Sequence, residues 1–450
     1  MQILHHCLKM IQGKVRKRRI MIKLKYQKLL AWIQAYHLEI GVGLCFILPP
    51  AGILWLVVIG WNHLNKAVYR RASFTLNLTT FFFLCLLVSA AGSTIVHRNG
   101  SYLLIVALIA GYLGLYLYIK ETLTLGSFQR YKRIVIAGGF YLFLSGLLLK
   151  DHTFNGIFAL LTGTQFIGGS GDSEARLFGS AYNPNFTAFL LLLTFTFVLT
   201  SIIGHLKNRG HRVLFYQIPL ILIIAAAIFQ TGSRSGVAAM FILSLFLLIK
   251  LNPKLGITCL GMLYAVRDHL IALIPRTEVI DHSALARKEI WLNSLSIWKD
   301  NTFFGTTPLG FSESYVQLTG KVVPHAHNMF LAFFAEYGTI GGLAFLLLAG
   351  GIAFKFCCLY FMESKRKQLL NLFMISIPVI FLTGILDHPL VSPQTALITV
   401  ILLASWDRYT EPVHVVQKSA AYIKRAFLRS SLQTEKSHHV SKSQKNKGKY

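Results

Sequence analysis

Two histidines separated by a single residue, His325 and His327, stand before Asn328 and a long apolar run in KVVPHAHNMFLAFFAEYGTIGG. Imidazole ionises near pH 7, so a neutral histidine placed beside a hydroxyl is a capable general base. Alternate histidines are also a metal-ligand pattern, but no Cys or carboxylate cluster accompanies them along the chain, and neither a metal nor another cofactor is expected. Asn328 is placed to cap free N–H groups of the helix that follows, and Gly338, two residues after Glu336, predicts a bend in it. Three arginines have the chemistry to meet anions. Arg176 lies in GDSEARLFGSAYNPNFTAFLL, Arg234 in QTGSRSGVAAM and Arg287 in DHSALARKEIWLNSLSIWKDN, where Trp291 and Trp298 mark an amphipathic helix. Each arginine alone could be an interfacial anchor snorkelling to water. Arg234 departs most from that role, because a Gly-Ser-Arg-Ser-Gly turn offers backbone N–H groups beside a guanidinium, a combination suited to phosphate oxygens.

The elements that must position these groups are membrane helices. The chain has 450 residues, of which 54% are hydrophobic and 14% charged, a balance too apolar for a soluble domain of this length. Apolar spans recur at 74–92, 101–119, 134–149, 186–204, 213–229, 236–250, 256–274, 338–361, 369–386 and 394–406. A further apolar region, 38–61, is interrupted by Pro49-Pro50 and is expected to form two short helices, which brings the crossings to about twelve. The predicted fold class is all-α, a polytopic integral membrane protein. Five of the six cysteines lie in apolar segments and show no disulfide or zinc spacing.

Charge sets the expected orientation. The net charge of +28 is concentrated at the two ends: nine Lys/Arg fall between Lys9 and Lys28, and nine more between Lys418 and Lys449. Both runs flank hydrophobic spans, so cytoplasmic placement and attraction to anionic lipid account for them without nucleic acid, for which no aromatic-interleaved basic motif is present. Breaking 38–61 at the prolines also returns Lys66, Arg70 and Arg71 to the cytoplasm. The hinges Arg130/Lys132/Arg133, Lys207/Arg209/Arg212, Lys250/Lys254 and Lys365/Arg366/Lys367 follow suit. The expected layout is a basic cytoplasmic arm (1–37), N-terminal transmembrane helices (38–149), a membrane core (150–406) and a basic cytoplasmic tail (407–450). The core carries a large extracytoplasmic loop at 275–337. The histidines and all three arginines then share the outer face, while the span middles carry almost no ionisable groups, unlike proton-coupled carriers.

With these residues in view, the chain resembles the O-antigen ligase and O-antigen polymerase family of bacterial membrane proteins. RLFGSAYNPNFTAFLLLL, TGSRSGVAAM, ARKEIWLNSLSIWKDNTFFGTTPLGF and HAHNMFLAFFAEYGTIGGL stand in the family's order and spacing, over roughly residues 150–390. The resemblance implies about twelve transmembrane helices and a metal-independent glycosyltransferase of the C superfamily type. Such an enzyme takes a glycan from undecaprenyl diphosphate outside the bacterial cell membrane and gives it to an acceptor hydroxyl. It carries Arg176, Arg234 and Arg287 over as donor-binding residues and His327 as the histidine before the asparagine, with His325 the second candidate. Thr302 and Thr306-Thr307-Pro308 depart from the family's usual Pro and Gly-x-Gly, which puts the local loop shape and acceptor choice in question.

Chemically, guanidinium forks at the diphosphate would stabilise the leaving group's charge. His327 would accept the hydroxyl proton, and Asp387, in the late outer turn LDHPL, would orient the imidazole. The expected partners are the undecaprenyl-diphosphate-linked glycan donor, a glycan or lipid acceptor, and membrane lipids. Polymerisation of repeat units of a cell-envelope polysaccharide is the leading expectation. A ligase moving the finished glycan to a lipid or wall acceptor is the alternative within the family, and a lipid-linked sugar flippase or carrier the alternative outside it.

Overall fold

The computed structural model describes residues 2–70, 76–149, 156–165, 176–207, 211–265, 267, 280–360 and 367–411. Part of the Gly/Ser-rich outer loop, Arg71, Arg209, Lys365, Arg366, the far end of the 256–274 span and the basic tail from 412 lie outside them. The described residues contain no strand and are 87% helical, so the protein is all-α. Among the described residues, eight helices are long and apolar enough to cross a membrane. The count of about twelve is neither reached nor excluded by this criterion.

The chain opens with α1 (Gln2–Ile47) and α2 (Pro49–Tyr69), and the reason for the break between them is specific. Pro49 and Pro50 have no N–H to offer the carbonyls of Cys45 and Phe46, four residues back. Those carbonyls are taken by other elements: the Gln394 amide donates to Cys45 O at 2.6 Å, and the Ser180 hydroxyl donates to Phe46 O. The two helices fold back on each other, with the Trp55 indole N–H on His37 O at 2.8 Å and Gly52 against the Cys45 backbone, where a Cβ has no room. The proline-broken hairpin expected from the sequence is present.

After the hairpin come α3 (Leu78–His97), which packs on α4 (Leu103–Thr122), and α5 (Leu125–Leu148); α4 and α5 lie against the hairpin, and the short α6 (Gly156–Thr162) follows. Next come α7 (Pro184–Lys207), α8 (His211–Gln230) and α9 (Arg234–Leu251), the last turning back at Asn252 into α10 (Pro253–Ala265). The most deeply buried of these is α7, whose side chains are enclosed on nearly every face, as its uniformly apolar sequence requires. Helices α11 (Ile280–Asp300) and α12 (Thr307–Thr319) form the polar excursion, and α13 (Met329–Tyr360), α14 (Lys367–Gly384) and α15 (Pro393–Thr410) complete the bundle.

Helix α13 is broken where Gly338 adopts φ 63°, ψ −166°, the bend its sequence predicts. Any Cβ there would meet Phe303 O at 2.2 Å. The groups the break frees find new partners: Thr339 N–H donates to Thr302 O at 2.7 Å, and the Ser89 hydroxyl of α3 donates to Tyr337 O at 2.7 Å. Two ends of the bundle are chemically distinct. At one, Gly305 O accepts from Ser93 of α3 at 2.8 Å and lies 3.3 Å from His97 Nε2, which ties the excursion to the bundle. At the other, Asp407 of α15 accepts from Thr79 at 2.7 Å and Tyr116 at 2.8 Å and lies 3.3 Å from Lys355 Nζ of α13, so four helices meet on one carboxylate.

Candidate active site

His325 and His327 lie in the loop that leads into α13, with Asn328 capping the helix by accepting Leu331 N–H at 3.0 Å. The Asn328 amide also donates to Ile385 O at 2.9 Å, which draws in the turn after α14 that carries Asp387. His327 Nδ1 is 3.2 Å from Asp387 Oδ1, and His325 Nε2 is 3.7 Å from the same oxygen. That oxygen also accepts the His388 backbone N–H at 2.8 Å. The structure therefore brings the three candidate proton-handling residues together, although Asp387 follows His327 by sixty positions.

Burial distinguishes the three side chains. The side chains of His325 and Asp387 are 4% and 5% exposed, whereas His327 is 27% exposed. His325 Nδ1 accepts the His327 backbone N–H at 3.3 Å, and its ring packs against Phe186 and His388. Burial, followed by the charge of His327, pushes the His325 pKa well below its ordinary value. For Asp387, burial opposes ionisation, but the hydrogen bond from His327 and the neighbouring imidazoles outweigh it and hold the carboxyl below its usual range. An ionised Asp387 accepts from Nδ1–H of His327 and leaves Nε2 as the open acceptor, the arrangement a general base needs. His327 takes a backbone φ of 48°, an uncommon conformation for a residue with a side chain.

The same three side chains offer one ligand atom each within 4.8 Å of one another. The sequence set a metal aside because no carboxylate stood beside the histidines; in space Asp387 does. Within the set, the hydrogen bond between His327 and Asp387 accounts for the shortest contact, 3.2 Å.

Arg176 and Arg234 are both placed where α8 ends and α9 begins. Arg176 Nε donates to Thr231 O at 2.7 Å and its terminal nitrogen to Asn185 Oδ1 at 2.9 Å. Gly232, at φ 61°, leaves room for the Arg176 side chain alongside it. Ser233 caps α9 by accepting Gly236 N–H at 3.3 Å, and Arg234, the next residue, donates to the Ser283 hydroxyl of α11.

Two elements bridge the arginines and the histidines. On α7, Asn185 holds Arg176 while its neighbour Phe186 packs on His325 with ring centroids 6.3 Å apart. On α11, Ser283, Arg287 and Trp291 recur every four residues and so share one face. Ser283 receives Arg234, and the Trp291 indole N–H points to His327 O at 3.4 Å, so Arg287 stands between the two clusters, half-buried. Asn185 and Ser283 were not singled out in the sequence. The available signals were an Asn-Pro-Asn helix start and a serine one turn before Arg287.

Fold and site together define a multi-pass membrane protein with acid–base and cationic groups gathered at one end of its helical bundle. Residues 219–346 match the family described as O-antigen ligase, and the match supports the O-antigen ligase/polymerase family for this chain and glycan transfer of that general type. The matched segment includes Arg234, Arg287, His325 and His327; Arg176 and Asp387 lie outside it. A comparison with curated proteins finds no relative.

Proposed function

We propose that the protein transfers a glycan from undecaprenyl diphosphate to an acceptor hydroxyl on the extracytoplasmic face of the bacterial membrane, with both termini cytoplasmic, and that it polymerises repeat units of a cell-envelope polysaccharide. The observation that carries this reading is the His327–Asp387 pair, half-open on the histidine side, on the same side of the bundle as the turn that holds Arg176 and Arg234, with Arg287 on the α11 face that links the two. His327 Nε2 takes the proton of the attacking hydroxyl, and Asp387 stabilises the imidazolium that forms. As the new bond to the anomeric carbon forms, the bond to the diphosphate breaks, and the guanidinium groups take up the charge of the leaving group. His325 does not compete for the proton because it is enclosed.

A ligase reading has the description of the matched family in its favour. A single lipid-linked donor supplied to purified protein in proteoliposomes separates the two: a ladder of lengthening products marks a polymerase, and no product until a second acceptor is added marks a ligase. In either assay His327→Ala is expected to lose nearly all transfer while donor binding persists. Full transfer by that variant removes His327 from the mechanism.

A further inference from the structure

Behind the site lies a pair that the transfer reaction as described does not use. Glu336, on the first half of α13, is fully enclosed, and neither of its carboxylate oxygens receives a hydrogen bond among the described residues. The His388 ring faces it, with Nε2 3.3 Å from Glu336 Oε2. The His388 ring is 2% exposed, packs edge-on against Phe333, and its Nδ1 has no partner among the described residues. A polar pair enclosed with so few partners is a poor way to fill a core, and an apolar pair of similar volume is commonly as stable or more so. Packing alone therefore does not explain these two residues.

What distinguishes them is where His388 sits in the chain. It follows Asp387 directly, and its backbone N–H fixes Asp387 Oδ1, the oxygen that faces His327. Its ring also stands 6.1 Å, centroid to centroid, from that of His325. Glu336 in turn is held from the opposite side: Thr306 N–H donates to Ala335 O at 3.1 Å, and Gly305 packs on the Glu336 backbone with no room for a Cβ.

We propose that Glu336 and His388 are positioning residues for glycan transfer. Glu336 anchors the His388 ring, and the His388 backbone then sets the Asp387 oxygen that orients His327. This rests on the site assignment above, and the test is arranged so that the two can fail separately. Turnover number, donor affinity and melting temperature are measured for the full chain in proteoliposomes. The variants are Glu336→Gln, the apolar double variant Glu336→Met with His388→Phe, and His327→Ala.

Glu336→Gln is expected to lower turnover by about tenfold or more, the scale of sub-ångström misplacement of a catalytic group, with donor affinity within about twofold of the parent and no loss of melting temperature. The double variant is expected to melt no lower than the parent and still turn over slowly. Unchanged turnover in Glu336→Gln overturns the proposal, as does a parallel fall of turnover, affinity and melting temperature. Recovery of turnover in the double variant also overturns it, since the pair would then be filling space. If His327→Ala retains turnover, the site assignment fails and the proposal with it. If only Glu336→Gln is silent, the proposal fails alone.

Discussion

Asp387→Asn keeps the size of the side chain and removes its charge, which makes it the sharpest probe of the His327 pair. In the parent, Asp387 Oδ1 lies 3.2 Å from His327 Nδ1 and accepts the His388 N–H at 2.8 Å. An asparagine is therefore expected to keep its oxygen toward those two donors, so the His327 tautomer survives and the lost quantity is the attraction to the imidazolium formed on proton transfer. Two unit charges 3.2 Å apart attract by about 5 kcal/mol at an effective dielectric of ~20. The imidazolium charge is spread over a ring that is 27% exposed, so solvent reduces the figure to about 3–4 kcal/mol, or roughly 10²–10³ in rate. The assay is turnover of lipid-linked donor in proteoliposomes, paired with donor binding at equilibrium. The expected result is a fall of that size in turnover with affinity unchanged, because the arginines are untouched. A loss smaller than about fivefold, or an affinity loss that accounts for the whole effect, refutes the argument.

Three further outcomes follow from the geometry. Arg234→Lys preserves charge but loses the planar fork, and is expected to weaken donor binding by about tenfold; equal affinity would contradict a two-pronged contact with diphosphate. Val322→Cys, at an exposed position beside the histidine loop, should be labelled by a membrane-impermeant reagent from outside the cell, and protection there would reverse the proposed orientation. Because the His325 pKa is held well below its ordinary 6.5, the unfolded chain binds more protons than the folded one below that pH. Stability then falls as pH drops from about 6.5 toward the folded-state value, by up to about 1.4 kcal/mol per pH unit. The melting temperature should fall more steeply from pH 7.5 to 5.5 in the parent than in His325→Asn, and parallel slopes would remove His325 as the cause.

Helices and caps were legible because their causes are local. The Pro49-Pro50 break, the Asn328 cap, the bend at Gly338 and the amphipathic α11 each follow from residues within one or two turns. The difference in burial between His325 and His327 was not local: His325 is enclosed by Phe186 and His388, and those rings come from α7 and from the turn before α15. Glu336 was visible only as a residue just before a bend, since the His388 ring it faces is fifty-two positions away. Thr307 illustrates the reverse case. The departure from Gly-x-Gly was plain in the sequence, yet that a threonine holds φ 61° where glycine would do so freely could be learned only from the backbone.

The Asp407 junction has a consequence at the far end of the molecule. It pins α13 through Lys355 and α15 directly, and the far ends of these same helices flank the loop of His327 and the turn of Asp387. From Lys355 to the break at Gly338 is seventeen residues, a rigid arm of about 26 Å, so a tilt of only ~2° about the pinned end moves the top by about 0.9 Å. Displacements of that order at a reacting centre can cost about 10² in rate. Leverage of this kind makes a carboxylate one bundle-length from the chemistry part of its tolerance: the helices act as lever arms, and Asp407 is their fulcrum.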